Sequence, residues 1–174
     1  MDLDGLIPVE IPDEERRQIV KKLYRLASLE ALAERCIKDL YGLAQQIYEG
    51  LNKDLLGLGN GELIHVSNLE RQRQTDTEAL LFQWRVLFRD RPVLTFTCQF
   101  GNYPSPKPVI GRCEIREAGS KGPTISLHLT RENDGADWEV VQRDMGPPGR
   151  LTADGLLFLL DRYVSEALQR YQPR

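Results

Sequence analysis

The chain reads as an α+β fold in which a long N-terminal helical segment and a C-terminal helix pack on one face of an antiparallel β-meander of about five strands. Three observations carry this reading. Apolar residues recur every three or four positions from Ile19 to Leu51. From about residue 79 the apolar period becomes two and stays so through Val140. A last stretch, Leu156 to Tyr171, returns to helical spacing. Strands that follow one another without intervening helices argue for an antiparallel sheet rather than βαβ units. With 174 residues, the chain has the length of one domain with a real core, so 1–174 is taken as a single unit.

Residues 1–12 hold Pro8 and Pro12 around Val9, Glu10 and Ile11 and are expected to be extended. Asp13 suits a helix N-cap, and Glu14 and Glu15 favour the positive end of the helix dipole. The helical region is placed at 13–56. Ile19, Leu23, Leu26, Glu30, Ala33, Ile37, Leu40, Ala44, Ile47 and Leu51 form one stripe with a single polar member. A second row, Leu29, Leu32, Cys36 and Leu43, widens it toward a core-packed face. A helix of about 39 residues spans nearly 60 Å, against a radius of gyration of roughly 16 Å for a globule of this length. A break near Ser28, where a new N-cap is available, is the favoured solution. The other is a projecting end that pairs with another molecule.

Gly57-Leu58-Gly59-Asn60-Gly61 ends the helix; Glu62 stands where a dinucleotide-binding loop needs glycine, and no strand precedes it. The meander is placed at 62–144, beginning with a short edge strand from Leu63 to Leu69. Leu80, Phe82, Trp84, Val86 and Phe88 then alternate with more polar neighbours. So do Leu94, Phe96, Cys98 and Phe100; Val109, Gly111, Cys113 and Ile115; Ile125, Leu127 and Leu129; and Trp138 with Val140. Turn residues join them: Asp90-Arg91-Pro92, Gly101 to Pro108, Gly119 to Pro123 and Asn133-Asp134-Gly135. Pairing Phe88 with Leu94 sets Trp84 opposite Cys98, and the next hairpin sets Cys98 opposite Cys113, so parity gives one continuous apolar face. Gly146-Pro147-Pro148-Gly149 breaks the sheet, and Thr152 caps a last helix over 152–171.

A net charge of -3 and a pI near 5.5 give no overall attraction to phosphate backbones, so nucleic acid is disfavoured as a partner. The longest apolar run, Leu156 to Leu160, is far short of a membrane span. The acidic start lacks the pattern of a secretory signal. Cys36, Cys98 and Cys113 are sparse, odd in number and without a CxxC, which fits a reducing, cytoplasmic setting.

No cofactor-binding or catalytic signature and no metal-ligand spacing is present. Cys98, Cys113 and His128 are evenly spaced, but parity turns His128 to the face opposite Cys113, and packing thiols are the better reading. Ser126, His128 and Glu114 share the polar face without a nucleophile turn. Arg85, Arg112 and Arg116 on that face could form a basic strip for an acidic peptide, phosphate or RNA, with no exposed aromatics for stacking bases. The loop Gly101 to Pro108 carries Tyr103 and Lys107 among three prolines, which either pre-order it for recognition or make it a rigid connector that keeps the sheet edge from pairing.

The expected function is therefore a non-enzymatic interaction module: an adaptor, small chaperone or assembly subunit. It acts through the helical stripe at Leu23, Leu26, Ala33 and Ile37 and the Tyr103 loop, with a homodimer as the simplest partner. The alternative is a small-molecule binder or enzyme with a cavity walled by Trp84, Trp138, Tyr163 and the cysteines.

Overall fold

A computed structural model describes residues 12–57, 64–74, 80–103, 108–121, 125–132, 135–141, 149–152, 154–158 and 161. Helix α1 runs unbroken from Asp13 to Gly57. The break expected at Ser28 does not occur. Ser28 donates its hydroxyl back to the Tyr24 carbonyl at 2.9 Å, a bond made inside a continuing helix rather than at a cap. No proline lies between Asp13 and Gly57, and Gly42 and Gly50 border open space, so the usual causes of a kink are absent along this stretch.

The strands are β1 (Ile64–Val66), β2 (Glu70–Arg73), β3 (Leu80–Phe88), β4 (Arg91–Tyr103), β5 (Val109–Glu117), β6 (Ile125–Glu132), β7 (Gly135–Val140) and β8 (Gly149–Arg150). They form one curled antiparallel sheet in the order β1-β3-β4-β5-β6-β7-β8, with β2 also on β3, so β1 and β2 share one edge. The edge strand expected over Leu63 to Leu69 is only three residues long, β1, and a further short strand, β2, lies beyond its expected bounds; the five-strand core of the meander is present.

The β3–β4 register differs from the expected one by two residues. Trp84 faces Phe96, and Phe82 faces Cys98. The cause is the turn. Arg89 and Asp90, with φ of 47° and 63°, make a two-residue connection in the left-handed region, as tight hairpins require, so β4 begins at Arg91 instead of beyond Pro92. An irregularity between Val86 and Leu87 completes the shift. A two-residue shift preserves parity, and the apolar face is intact. Cys98 faces Cys113 and Phe96 faces Ile115, as the alternation requires.

The β5 bulge between Val109 and Gly111 breaks strict alternation. Ile110 and Thr130, both expected outward, are buried with Val109. Gly111 sits close to the β4 backbone and Leu129; a Cβ there would lie 3.4 Å from the Gln99 carbonyl oxygen.

The second half of α1 lies against the apolar face. Ala33, Ile37, Leu40, Ala44 and Tyr48 are buried with Trp84, Phe96, Cys98, Ile115 and Leu127. Trp84 stacks on Phe96 with ring centroids 4.7 Å apart and meets Tyr41 edge-on at 5.5 Å. Both sheet margins grip the helix. Trp138 of β7 donates to the Cys36 carbonyl at 3.2 Å, and Tyr41 donates to the Ser67 carbonyl at 3.0 Å. At β1 the Asn52 side chain accepts from the Ile64 N–H at 2.8 Å and donates to the Ile64 carbonyl. Arg71 and Arg73 of β2 reach Glu34 and Glu30.

Beyond β8, residues 154–158 are helical, and the Thr152 hydroxyl accepts from the Gly155 N–H at 3.0 Å, the expected cap. Leu156 is buried. The rest of the predicted C-terminal helix, the 142–148 break and the 1–11 segment lie outside the described residues, apart from residue 161, which is helical.

Candidate functional site

Among the described residues, none outside the helix buries the first part of α1. Every residue of 13–28 is exposed, and the body begins at Leu29 and Glu30. At 1.5 Å per residue this arm extends for about 24 Å. Its apolar side chains face water: Ile19, Val20 and Leu26 are exposed, Leu23 is 61% exposed and Tyr24 77%. Exposed leucines scattered singly are ordinary, but a contiguous apolar row marks a contact surface.

Of the four stripe residues singled out from sequence, Leu23 and Leu26 are therefore on a free surface. Ala33 and Ile37 are fully buried against the chain's own sheet. The stripe is one pattern with two uses. Val20 and Tyr24 were missed by the sequence reading, although each follows a stripe residue and they stand four apart, the spacing of one helix face.

The charges of the arm are segregated. Asp13, Glu14 and Glu15 occupy the first turn, where they stabilise the helix end. Arg16, Arg17, Lys21, Lys22 and Arg25 follow with no acidic residue among them. Lys22 and Arg17 flank the apolar sector, whereas Lys21 and Arg25 lie on the far side at 100° per residue.

The arginines of the sheet face do not gather into a basic strip. Arg85 and Arg116 flank Thr95 in one cross-strand row, which sets them roughly 10 Å apart at the backbone. Arg116 pairs with Glu114 at 3.6 Å, and Arg85 donates to Gln83 at 3.3 Å. Arg112 belongs to another row, Gln99, Arg112, His128, Glu139 and Arg150. Glu114 and Glu139 stand among these arginines on the face.

In that row His128 lies between Arg112 and Glu139. Partial burial lowers its pKa, with Arg112 adding to the effect and Glu139 opposing it. Ser126 faces Glu114, on the shared face that parity gave. Tyr103 pairs with Val109 at the end of β4, while its side chain and Lys107 lie outside the described residues.

Cys98 and Cys113 are fully buried, free and directly opposed. Burial, with Cys113 alongside, pushes the Cys98 thiol well above its ordinary range. A thiol held protonated in an apolar interior is a packing group, not a nucleophile. Cys36 is also pushed up, chiefly by burial and then by Asp39. Among the described residues no group of His, Cys, Asp and Glu could hold a metal ion, and no helix is long and apolar enough to cross a membrane.

No family model, curated protein or solved structure matches the chain. Function has to be argued from the site itself.

Two clefts lie at the margins of the helix–sheet contact. One of about 290 Å³ is lined by Gln45, Tyr48, Glu49, Asn52, His65 and Asn68 among others. The other, of about 210 Å³, lies between Cys36, Asp39 and Leu43 of α1 and Trp138, Arg150 and Leu151. The proposed cavity walls are divided: Trp138 and Cys36 line the smaller cleft, while Trp84, Cys98 and Cys113 are packed solid in the core. Tyr163 lies outside the described residues.

Proposed function

We propose that this protein is a non-enzymatic interaction module whose helix–sheet body is a rigid mount for a docking arm, residues 13–28. The observation that supports it is the run of exposed apolar side chains Ile19, Val20, Leu23, Tyr24 and Leu26 on a helix that continues into the core. Helix-in-groove recognition uses anchors at i, i+4 and i+7, the spacing of Ile19, Leu23 and Leu26. A docking helix that is already folded loses little conformational entropy on binding. The three free cysteines support a reducing, cytoplasmic setting.

The competing reading, a small-molecule binder, has less support. The two clefts seen among the described residues lie at or below the low end of the roughly 300–1,000 Å³ typical of ligand sites, and Trp84 is fully buried.

A photoreactive benzophenone side chain at position 23, introduced in cells that make the full chain, tests the docking role. Illumination is expected to link the chain to a protein, with the yield lost when Leu26→Glu is added. The same probe at exposed Arg85 is the control. Equal yields at 23 and 85, or none at 23, would sink the proposal.

A further inference from the structure

We infer that the occupant of the arm is a second copy of this chain, its arm packed antiparallel, with the two-fold axis crossing near residue 21. The inference rests on the docking role proposed for residues 13–28 and names the partner.

The steric argument comes first. Ile19, Leu23 and Leu26 continue, in heptad spacing, the row of Ala33, Ile37 and Leu40 that is buried on the sheet. A straight helix drifts only about 20° per heptad from such a row, so the exposed stripe faces the sheet side of α1. Packed helices lie 8–10 Å apart, close to the depth at which packed layers of secondary structure begin. A helix docked on the stripe therefore runs toward the near end of the sheet and has to stop at Leu29 and Glu30.

A parallel second copy cannot stop there, because its own α1 continues to Gly57 and would run into the first copy's sheet. An antiparallel copy meets that boundary with the start of its helix, Asp13, while its body lies beyond the other arm's tip. Sterics thus fix the orientation.

They also fix the register. Full overlap sets Asp13 opposite the partner's Leu29. The same alignment places Ile19 opposite the partner's Leu23, and Arg16 opposite the partner's Leu26. These are the alternating layers that antiparallel helices with a 3-4 apolar spacing form. The heptad pattern admits alignments seven residues apart, and the body boundary chooses this one among them.

Charge admits it. The acidic first turn, Asp13 to Glu15, arrives beside the partner's sheet margin, where the exposed Arg71 and Arg73 can be shared between it and their own partners Glu34 and Glu30. A parallel pair would instead set Arg16 against its own copy within the stripe. Lys22 meets its copy at the axis, and its long stem can carry the ammonium out to water. Lys21 and Arg25 lie on the far side of the arm.

A basic amphipathic helix also suits an anionic bilayer surface, but the acidic first turn opposes that occupant, and the test separates them. Sedimentation of the full chain over a concentration series is expected to show a monomer–dimer equilibrium. Leu23→Glu, present twice in each dimer, should weaken it about a hundredfold or more without changing the circular dichroism. In a Cys36→Ser background, chains carrying Arg16→Cys and chains carrying Leu26→Cys should form mixed disulfides when mixed and oxidised by air, while Leu26→Cys alone should not link to itself.

Self-linking of Leu26→Cys, a strict monomer at every concentration, or a dimer indifferent to Leu23→Glu overturns the inference. A monomer whose position-23 probe still captures another protein overturns only the identity of the partner and leaves the docking role standing. Cosedimentation with phosphatidylserine vesicles that Leu23→Glu abolishes, in a monomeric chain whose probe captures no protein, would overturn both.

Discussion

Among the described residues, neither the buried hydroxyl of Tyr48 nor the buried indole N–H of Trp84 has a hydrogen-bond partner. Burial drives the Tyr48 pKa upward, so the group stays neutral and its cost is the lost hydration of the O–H. An unpaired buried hydroxyl costs on the order of 1–3 kcal/mol. Tyr48→Phe keeps the ring and removes that cost, and is expected to stabilise the fold by about 1 kcal/mol. A higher urea midpoint at unchanged slope would show it; a lower midpoint would mean the hydroxyl has a partner. His128 makes a pH-dependent contribution. Its folded pKa lies below the ordinary 6.5, so the unfolded chain binds the proton more readily. The contribution is present above about pH 6.5 and is lost as pH falls from there through the folded value. His128→Gln should flatten the acid side of the stability profile in that window. A profile unchanged by the substitution would exclude the assignment.

At the level of elements, α1 and the sheet are joined by a few polar clamps as well as by apolar contact. Asn52 satisfies both backbone groups of Ile64 at the sheet margin, a place where unpaired strand groups invite pairing with other chains. Asn52→Ala removes both bonds and is expected to cost about 1–3 kcal/mol. Faster hydrogen exchange at Ile64, ahead of global unfolding, would locate the loss. The β3–β4 turn offers the opposite change. Asp90 holds a positive φ of 63° that glycine adopts without strain. Asp90→Gly should therefore stabilise by about 0.5–1 kcal/mol, measured as a rise in the thermal midpoint.

For the molecule as a whole, the sequence patterns disclosed the layers, the inward face of most of β3 to β7 and the opposition of Cys98 and Cys113, because side-chain periods follow directly from backbone geometry. They did not disclose where the period was interrupted. The β5 bulge and the Arg89-Asp90 turn change alignment without changing composition, so Ile110 and Thr130 were assigned to the wrong face and Trp84 to the wrong partner. The candidate site was legible in part. Leu23 and Leu26 stand out by spacing, but the same spacing holds for Ala33 and Ile37, and only the position of the sheet separates exposed from buried. The arm's side chains are exposed and not part of the core, so Tyr24→Ala, measured at a concentration low enough to keep the chain monomeric, should leave its melting temperature nearly unchanged. A drop of several degrees would show that the arm supports the body.

The uninterrupted course of α1 has a mechanical consequence. A rod gripped along half its length by Asn52, Tyr41, Cys36 and Glu30, with no kink where it leaves the grip, behaves as a lever and not as a tether. Whatever is held at its tip is held at a set distance and angle from the sheet, and a load applied there is carried straight to the clamps at Glu30–Arg73 and Cys36–Trp138. Spin labels at Arg17 and Arg112 of one chain, diluted into an excess of unlabelled chain, should accordingly report one narrow distance distribution, where a hinged arm would give a broad one.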